Sequence, residues 1–282
     1  MNLTRRAFLA GGAVTAVLGA VPLSNTYRFQ VNRHARPLPG LRAPLRVAHL
    51  SDLHYGPYVH AGSVRAWVDA ALRERPDLAV ITGDIMDSAP GDGAEHLLRE
   101  LARLRAPLGV WGVWGNHDYG SFGRYAQRLR TARRSDWQDG RAAFETALRD
   151  AGVRILTNTG VRLRPDVFLA GVDDAWWGAP DIPAALAAAG GGATLLMAHN
   201  PDLLPQVPRR VGITLCGHTH GGQVRFPFIG APMIPSEYGE RFAMGFVHAP
   251  ALGFVSRGLG VSGVPARLGC PAELVIHDFL PV

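Results

Sequence analysis

Five short segments of this 282-residue chain bring histidine, aspartate and asparagine together at close spacing. They are Asp52-Leu53-His54, Gly83-Asp84, Gly115-Asn116-His117-Asp118, the isolated His199, and Gly217-His218-Thr219-His220. Carboxylate and amide oxygens with imidazole nitrogens, and no thiolate among them, form a donor set suited to Mn, Fe, Zn or related divalent ions. Asp-x-His and His-x-His place two donors on one side of an extended segment, because side chains alternate along a strand. Asp52, His54, Asp84, Asn116, His199, His218 and His220 offer more donors than the four that a structural zinc takes. Two ions sharing one carboxylate account for the surplus.

The elements that must position these residues are legible as apolar runs. Each motif stands directly after one: 47–51 before Asp52, 78–82 before Gly83, 111–114 before Gly115, 195–198 before His199 and 213–216 before Gly217. In α/β sheets, ligands gather beyond the carboxyl ends of strands, so five such ends can converge on one place. Strands expected at 45–50, 78–82 and 108–114 alternate with helices expected at 64–74 and 95–104, an order that implies parallel strands. Beyond residue 150 strands dominate, at 155–157, 167–171, 194–198, 212–216, 245–248, 253–256 and 273–277, with helices at 141–150 and 182–189. The expected fold class is α/β, with two packed β-sheets flanked by helices. Residues 24–44 read as a lead-in, in which 27–31 alternate as an edge strand does, and 45–282 as one catalytic domain.

The ordered set D-x-H, G-D, G-N-H-D, H and G-H-x-H resembles the calcineurin-like metallophosphoesterases over about residues 45–280. The contexts Ser51-Asp52-Leu53-His54, Gly171-Val172-Asp173-Asp174 and Gly217-His218-Thr219-His220-Gly221-Gly222-Gln223 are similar to an exported bacterial branch. The resemblance implies a four-layer αββα sandwich of mixed sheets. It also implies that Asp52, His54 and His220 hold one ion, that Asn116, His199 and His218 hold a second, and that Asp84 bridges them. Two such ions clamp phosphate oxygens and supply an acidified water for in-line attack. His117 is not needed for coordination and is assigned to protonating the leaving oxygen, with Asp118 expected to orient its ring. The expected reaction is hydrolysis of a phosphodiester or pyrophosphate bond in a small nucleotide-linked or lipid-linked substrate. A phosphomonoesterase with the same centre and a non-catalytic metal-binding scaffold are the competing readings.

The remaining features bear on location and partners. Arg5-Arg6 ahead of Phe8-Leu9, then an apolar stretch at 10–23, has the form of a secretory signal and resembles the twin-arginine type. Residues 1–23 are therefore expected to be a signal peptide or anchor, the protein to be exported or held at the cell envelope, and the export machinery to be a partner. All 29 basic residues are arginines, in a net charge of +6, without the aromatic interleaving of a nucleic-acid surface. Arginines 124, 128, 130, 133, 134 and 141 follow the catalytic motif, as a solvated helix or as a grip on a second phosphate or an anionic membrane surface. Trp176-Trp177 and the loop of Pro227, Pro232 and Pro235 with Phe226, Phe228 and Ile234 are apolar candidates for a pocket wall or membrane contact. His34, His49, His60, His96, His248 and His277 read as surface or packing residues, His49 also standing close enough to Asp52 to support it from behind. Cys216 and Cys270 are too few for a disulfide framework, and Cys216 reads as a buried thiol.

Overall fold

The computed structural model describes residues 27–87, 94–124 and 133–282. The expected signal segment 1–23 and Arg128 and Arg130 lie outside the described residues. The run Leu78-Ala79-Val80-Ile81-Thr82 is buried throughout, as a strand covered on both faces must be. It forms β3 (Leu78–Thr82) in a sheet of order β1 (Phe29–Pro37), β12 (Ala272–Leu280), β2 (Leu45–Leu50), β3, β4 (Val110–Val113) and β5 (Val153–Ile155). Strands β2 to β5 are parallel, β12 runs antiparallel to β2, and β1 runs parallel to β12. The second sheet has the order β10 (Gly245–His248), β11 (Leu252–Val255), β9 (Ile213–Cys216), β8 (Ala193–Met197), β7 (Val167–Gly171) and β6 (Thr159–Arg164). Its four central strands are parallel and its two edge strands antiparallel.

The strand alternation divides the core into layers. Leu45, Val47, Leu78 and Val80 point between the sheets and meet Leu169, Leu195, Met197, Ile213 and Leu215. Ala48, Leu50, Ala79 and Ile81 face outward, against α1 (Ala61–Arg73), α2 (Ala94–Leu101) and α4 (Trp137–Asp150). On the far side, Phe168, Ala170 and Leu196 pack under α5 (Ile182–Ala185) and the tight turn Pro201–Gln206. Helix, sheet, sheet and helix therefore stack as expected.

The differences from expectation lie at edges and ends. Nine lead-in residues form β1, paired with β12 along its whole length. Strand β6 is absent from the sequence reading, because Thr159-Gly160-Val161-Arg162-Leu163-Arg164 is a partly exposed edge whose polar residues read as loop. Helices α2 and α5 stop before 104 and 189, where N–H groups of Arg103, Leu104, Ala187 and Ala189 turn to carbonyls three residues back. That tightening ends an α-helix without Gly or Pro. Both cysteines are buried and free.

Candidate metal centre

Five strand ends deliver the motifs to one place. From the first sheet, β2 leads to Asp52 and His54, β3 to Asp84, and β4 to Asn116 and His117 at the start of α3 (Asn116–Ser121). From the second, β8 leads to His199 and β9 to His218 and His220. The chain turns sharply after β2, β3 and β9. Asp52, His54, Asp84, His218 and His220 adopt φ of 51°, 47°, 48°, 74° and 51°. Left-handed backbone at residues with a Cβ costs about 1–3 kcal/mol each and persists where surroundings enforce it, often at functional sites. The glycines before two motifs are required by crowding. A Cβ on Gly83 would stand 2.6 Å from His199 Nδ1, and one on Gly217 2.0 Å from Ser51 Oγ.

The donors form two groups. Asp52, His54 and His220 bring ligand atoms together in one, and Asp84, His199 and His218 in the other. His54 Nε2 lies 2.9 Å from His220 Nε2, and His199 Nε2 lies 3.2 Å from both His218 Nδ1 and Asn116 Oδ1. One oxygen of Asp84, Oδ2, is 3.2 Å from His199 Nε2 and 3.5 Å from His54 Nε2, so it reaches both groups. Imidazole nitrogens this close need a proton or a cation between them. The donors are buried, and their chemistry fits divalent cations.

Electrostatics sharpen that fit. Burial pushes His199 down, but the Asp84 carboxylate outweighs it and raises the ring to about 10. A proton there and a divalent cation are alternative ways of neutralising the same acceptors. His199 Nδ1 points at the Thr82 carbonyl at 2.7 Å, which directs Nε2 into the group. Burial, then the neighbouring imidazoles, keep His218 and His220 well below 6.5 and so neutral, the form a metal takes.

His117 stands beside the donors and is held from both sides. Its Nδ1 lies 3.3 Å from Asp87 Oδ1, and its Nε2 lies 3.3 Å from Ser262 Oγ. Burial lowers its affinity for a proton, but Asp84 and Asp87 prevail and bring it to about 9. The expectation that Asp118 orients this ring is corrected. Asp118 instead accepts N–H bonds from Gly115 and Met86, at 2.9 and 3.0 Å, and so fixes the loop. Asp87, missed in the sequence, holds both His117 and His54 Nδ1, the latter at 3.0 Å. Its only signal is its place three residues after Asp84 on the same strand-end loop.

Further supports lie behind the donors, His49 among them as the sequence allowed, while Ser51, Thr82 and Arg267 carried no such signal. Ser51 donates to Asp52 Oδ2 at 2.5 Å, Thr82 donates to Ser51 at 2.6 Å, and His49 Nε2 lies 2.8 Å from Thr82 Oγ1. The chain runs one way, since Asp52 is an acceptor, so His49 donates from Nε2. Asp52 Oδ1 meanwhile accepts the His218 N–H at 2.8 Å. The buried Arg267 guanidinium lies 3.1 Å from His220 Nδ1 and donates to the carbonyls of Arg257 and Gly260. Trp176 sets its ring edge-on to His218 at 4.4 Å, while Trp177 packs on the core of the first sheet. Of the arginine-rich segment, Arg124 and Arg141 lie over Trp137 and Tyr119, and Arg134 pairs with Asp136.

The sequence pattern of the calcineurin-like phosphoesterases matches residues 45–222. YkuE of Bacillus subtilis (strain 168), an uncharacterized metallophosphoesterase, is 26% identical over 298 residues, 98% of this chain and 97% of its own. Escherichia coli (strain K12) phosphodiesterase YaeI is 29% identical over 295 residues, 99% of this chain and 100% of its own. The structure of the Haemophilus influenzae NAD nucleotidase aligns with 77% of this chain and 45% of that one, at a TM-score of 0.44 and 11% identity.

Proposed function

The chain belongs to the calcineurin-like phosphoesterase family and is a metal-dependent phosphoester hydrolase; we propose that it cleaves phosphodiester or pyrophosphate bonds with two divalent cations. The observation that carries the two-cation reading is the single Asp84 oxygen within reach of both donor groups. Asp52, His54 and His220 would hold one ion, Asn116, His199 and His218 the other, and Asp84 both. Ions of the Mn, Fe or Zn type there supply an acidified water and neutralise phosphate charge.

The chain's own residues do the rest. Without bound ions, Asp84 and Asp87 raise His117 to about 9. Asp87, outside the donor set, continues to favour the protonated ring when Asp84 holds cations, so His117 can give its proton to the leaving oxygen. Asp87 keeps that proton on the ring and fixes the ring's direction, while Ser262 limits its swing. An alkoxide leaving group needs this proton from either ester, and the name of the E. coli relative, a phosphodiesterase, is what supports diesters over monoesters. The substrates we favour are nucleotide-linked or lipid-linked diesters at the cell envelope, reached through twin-arginine export. Replacing Arg5 and Arg6 with lysines should retain the protein in the cytoplasm, and unchanged export refutes that part.

The test of the reaction compares Mn-loaded protein on bis-p-nitrophenyl phosphate and p-nitrophenyl phosphate. Faster diester hydrolysis is expected, and faster monoester hydrolysis establishes the phosphomonoesterase alternative. Metal-dependent turnover absent from both, with two ions bound, would leave a metal-binding scaffold.

A further inference from the structure

Exposed apolar side chains gather at one end of the molecule. Phe226 and Gly230 exchange both backbone hydrogen bonds, at 2.9 and 3.0 Å, and close a tight turn with Phe228 and Ile229 at its tip. Phe228 is wholly exposed, and Ile229 and Met233 are 79% and 78% exposed. The tip is braced. Arg225 pairs with Glu240 at 2.8 Å, Glu240 also accepts the Ala231 N–H at 3.1 Å, and the Arg225 N–H bonds the Leu268 carbonyl at 2.7 Å. A rigid turn that presents large apolar groups to water marks an interaction site rather than slack in the chain.

The tip stands on the rim of the metal centre. Gly222, two residues after His220, lies against Ala231, where an added Cβ would be 2.3 Å from the Ala231 methyl. Partly exposed Trp176, Met244 and Val264 continue the apolar rim, and Trp176 touches His218. The chain also enters the fold here. Strand β1 starts with Phe29 opposite Ala272, two residues after Cys270, whose thiol lies 3.3 Å from the His220 carbonyl. The sequence ahead of that entry includes the uncharged apolar residues 10–23.

We propose that this rim docks on a phospholipid bilayer, with Phe228, Ile229 and Met233 among the acyl chains and the metal centre turned toward the headgroups. The strand that follows this apolar stretch in sequence begins at the same end of the fold as the exposed tip. The net charge of +6 favours an anionic surface. The docking is independent of which phosphoester is cut.

The test uses the full chain with Phe228→Cys carrying an environment-sensitive fluorophore, both native cysteines being buried. Vesicles of phosphatidylcholine with a minor fraction of phosphatidylglycerol should brighten the label and shift its emission to the blue. The same label on Val282→Cys, beyond the far end of β12, should stay aqueous. Three outcomes overturn the proposal: no vesicle binding, a label at 228 that stays aqueous on vesicle-bound protein, or a blue shift that grows with protein concentration without vesicles. The second means that the N-terminal sequence alone anchors the chain, and the third that the rim meets a second copy. The triple variant with serine at 228, 229 and 233 should lose the vesicle contact and retain hydrolysis of soluble bis-p-nitrophenyl phosphate.

Discussion

Two sets of histidines are buried in this molecule, and they behave oppositely. His49 and His277 lie between the sheets, stacked with centroids 5.7 Å apart and edged by Phe254. Among the described residues, neither His277 nitrogen has a hydrogen-bond partner, and His49 Nδ1 has none. Burial pushes His49 down to about 3, and burial followed by the His49 and His34 rings keeps His277 well below its ordinary value, so both are fixed as neutral groups. His199 is as deeply buried and His117 is nearly enclosed, yet they rise to about 10 and 9. The difference is that Asp84 and Asp87 hold one proton on His199 and one on His117, while the neighbouring His218 and His220 stay neutral. In the proposed reaction, imidazole would supply chemistry only where a carboxylate has been buried with it.

The largest break in this contrast comes from Asp84. Asp84→Asn removes the charge that both donor groups share, and loss of turnover together with loss of bound metal is expected from activity and elemental analysis. His117→Ala should lower kcat by about 10²–10⁴-fold while metal content stays at the wild-type level. Asp87→Asn refines that point through pH. Protonated His117 is lost as pH rises, through about 9 without ions and at lower pH once cations offset the Asp84 charge, so kcat should fall along that alkaline limb. Removing the Asp87 charge lowers the histidine's pKa and should move the limb to lower pH, and an unmoved limb would falsify the assignment of His117 as the acid.

Thr82→Val interrupts the hydrogen-bonded chain from His49 to Asp52. Supports of this kind typically contribute about 10–100-fold in metal affinity, measurable by calorimetric titration of Mn into metal-stripped protein. The smallest effect concerns the core histidines. Their folded pKa lies below the ordinary 6.5, so below pH 6.5 the unfolded chain takes up protons that the folded chain refuses. Stability therefore declines on acidification toward pH 3, by roughly 1.4 kcal/mol per pH unit for each such histidine. In urea melts at pH 7 and pH 5, His277→Phe should remove one histidine's share of that decline. An unchanged slope would place the acid sensitivity elsewhere.

The site's inner residues were readable because each motif follows a strand-like run, which allowed convergence, and because the ordered motifs resemble a known family. The fold followed from the same runs, with fully buried β3 and β7 read at their observed limits. What escaped was set by three-dimensional neighbours. Asp87 is one acid among 23 until its carboxylate is seen between two imidazoles. Arg267 lies 47 residues from His220 and is one of 29 identical side chains. Asp118 belongs to a motif and looked like the partner of its neighbour, but the helical turn of α3 carries its carboxylate back to the Gly115 N–H. Adjacency in sequence was the wrong guide there, because consecutive helical residues face different directions.

The donors are split between the two sheets, Asp52, His54, Asp84 and Asn116 on one and His199, His218 and His220 on the other. A cation gripped by both sets would act as a rivet through the sandwich, fastening layers otherwise joined at that end by side-chain packing and a few hydrogen bonds, such as that from the His218 N–H to Asp52. Its occupancy then adds to resistance against unfolding in proportion to the logarithm of its concentration over its dissociation constant. Chelation would loosen the seam from the catalytic end first, so scarcity of metal would shorten the protein's lifetime as well as silence it.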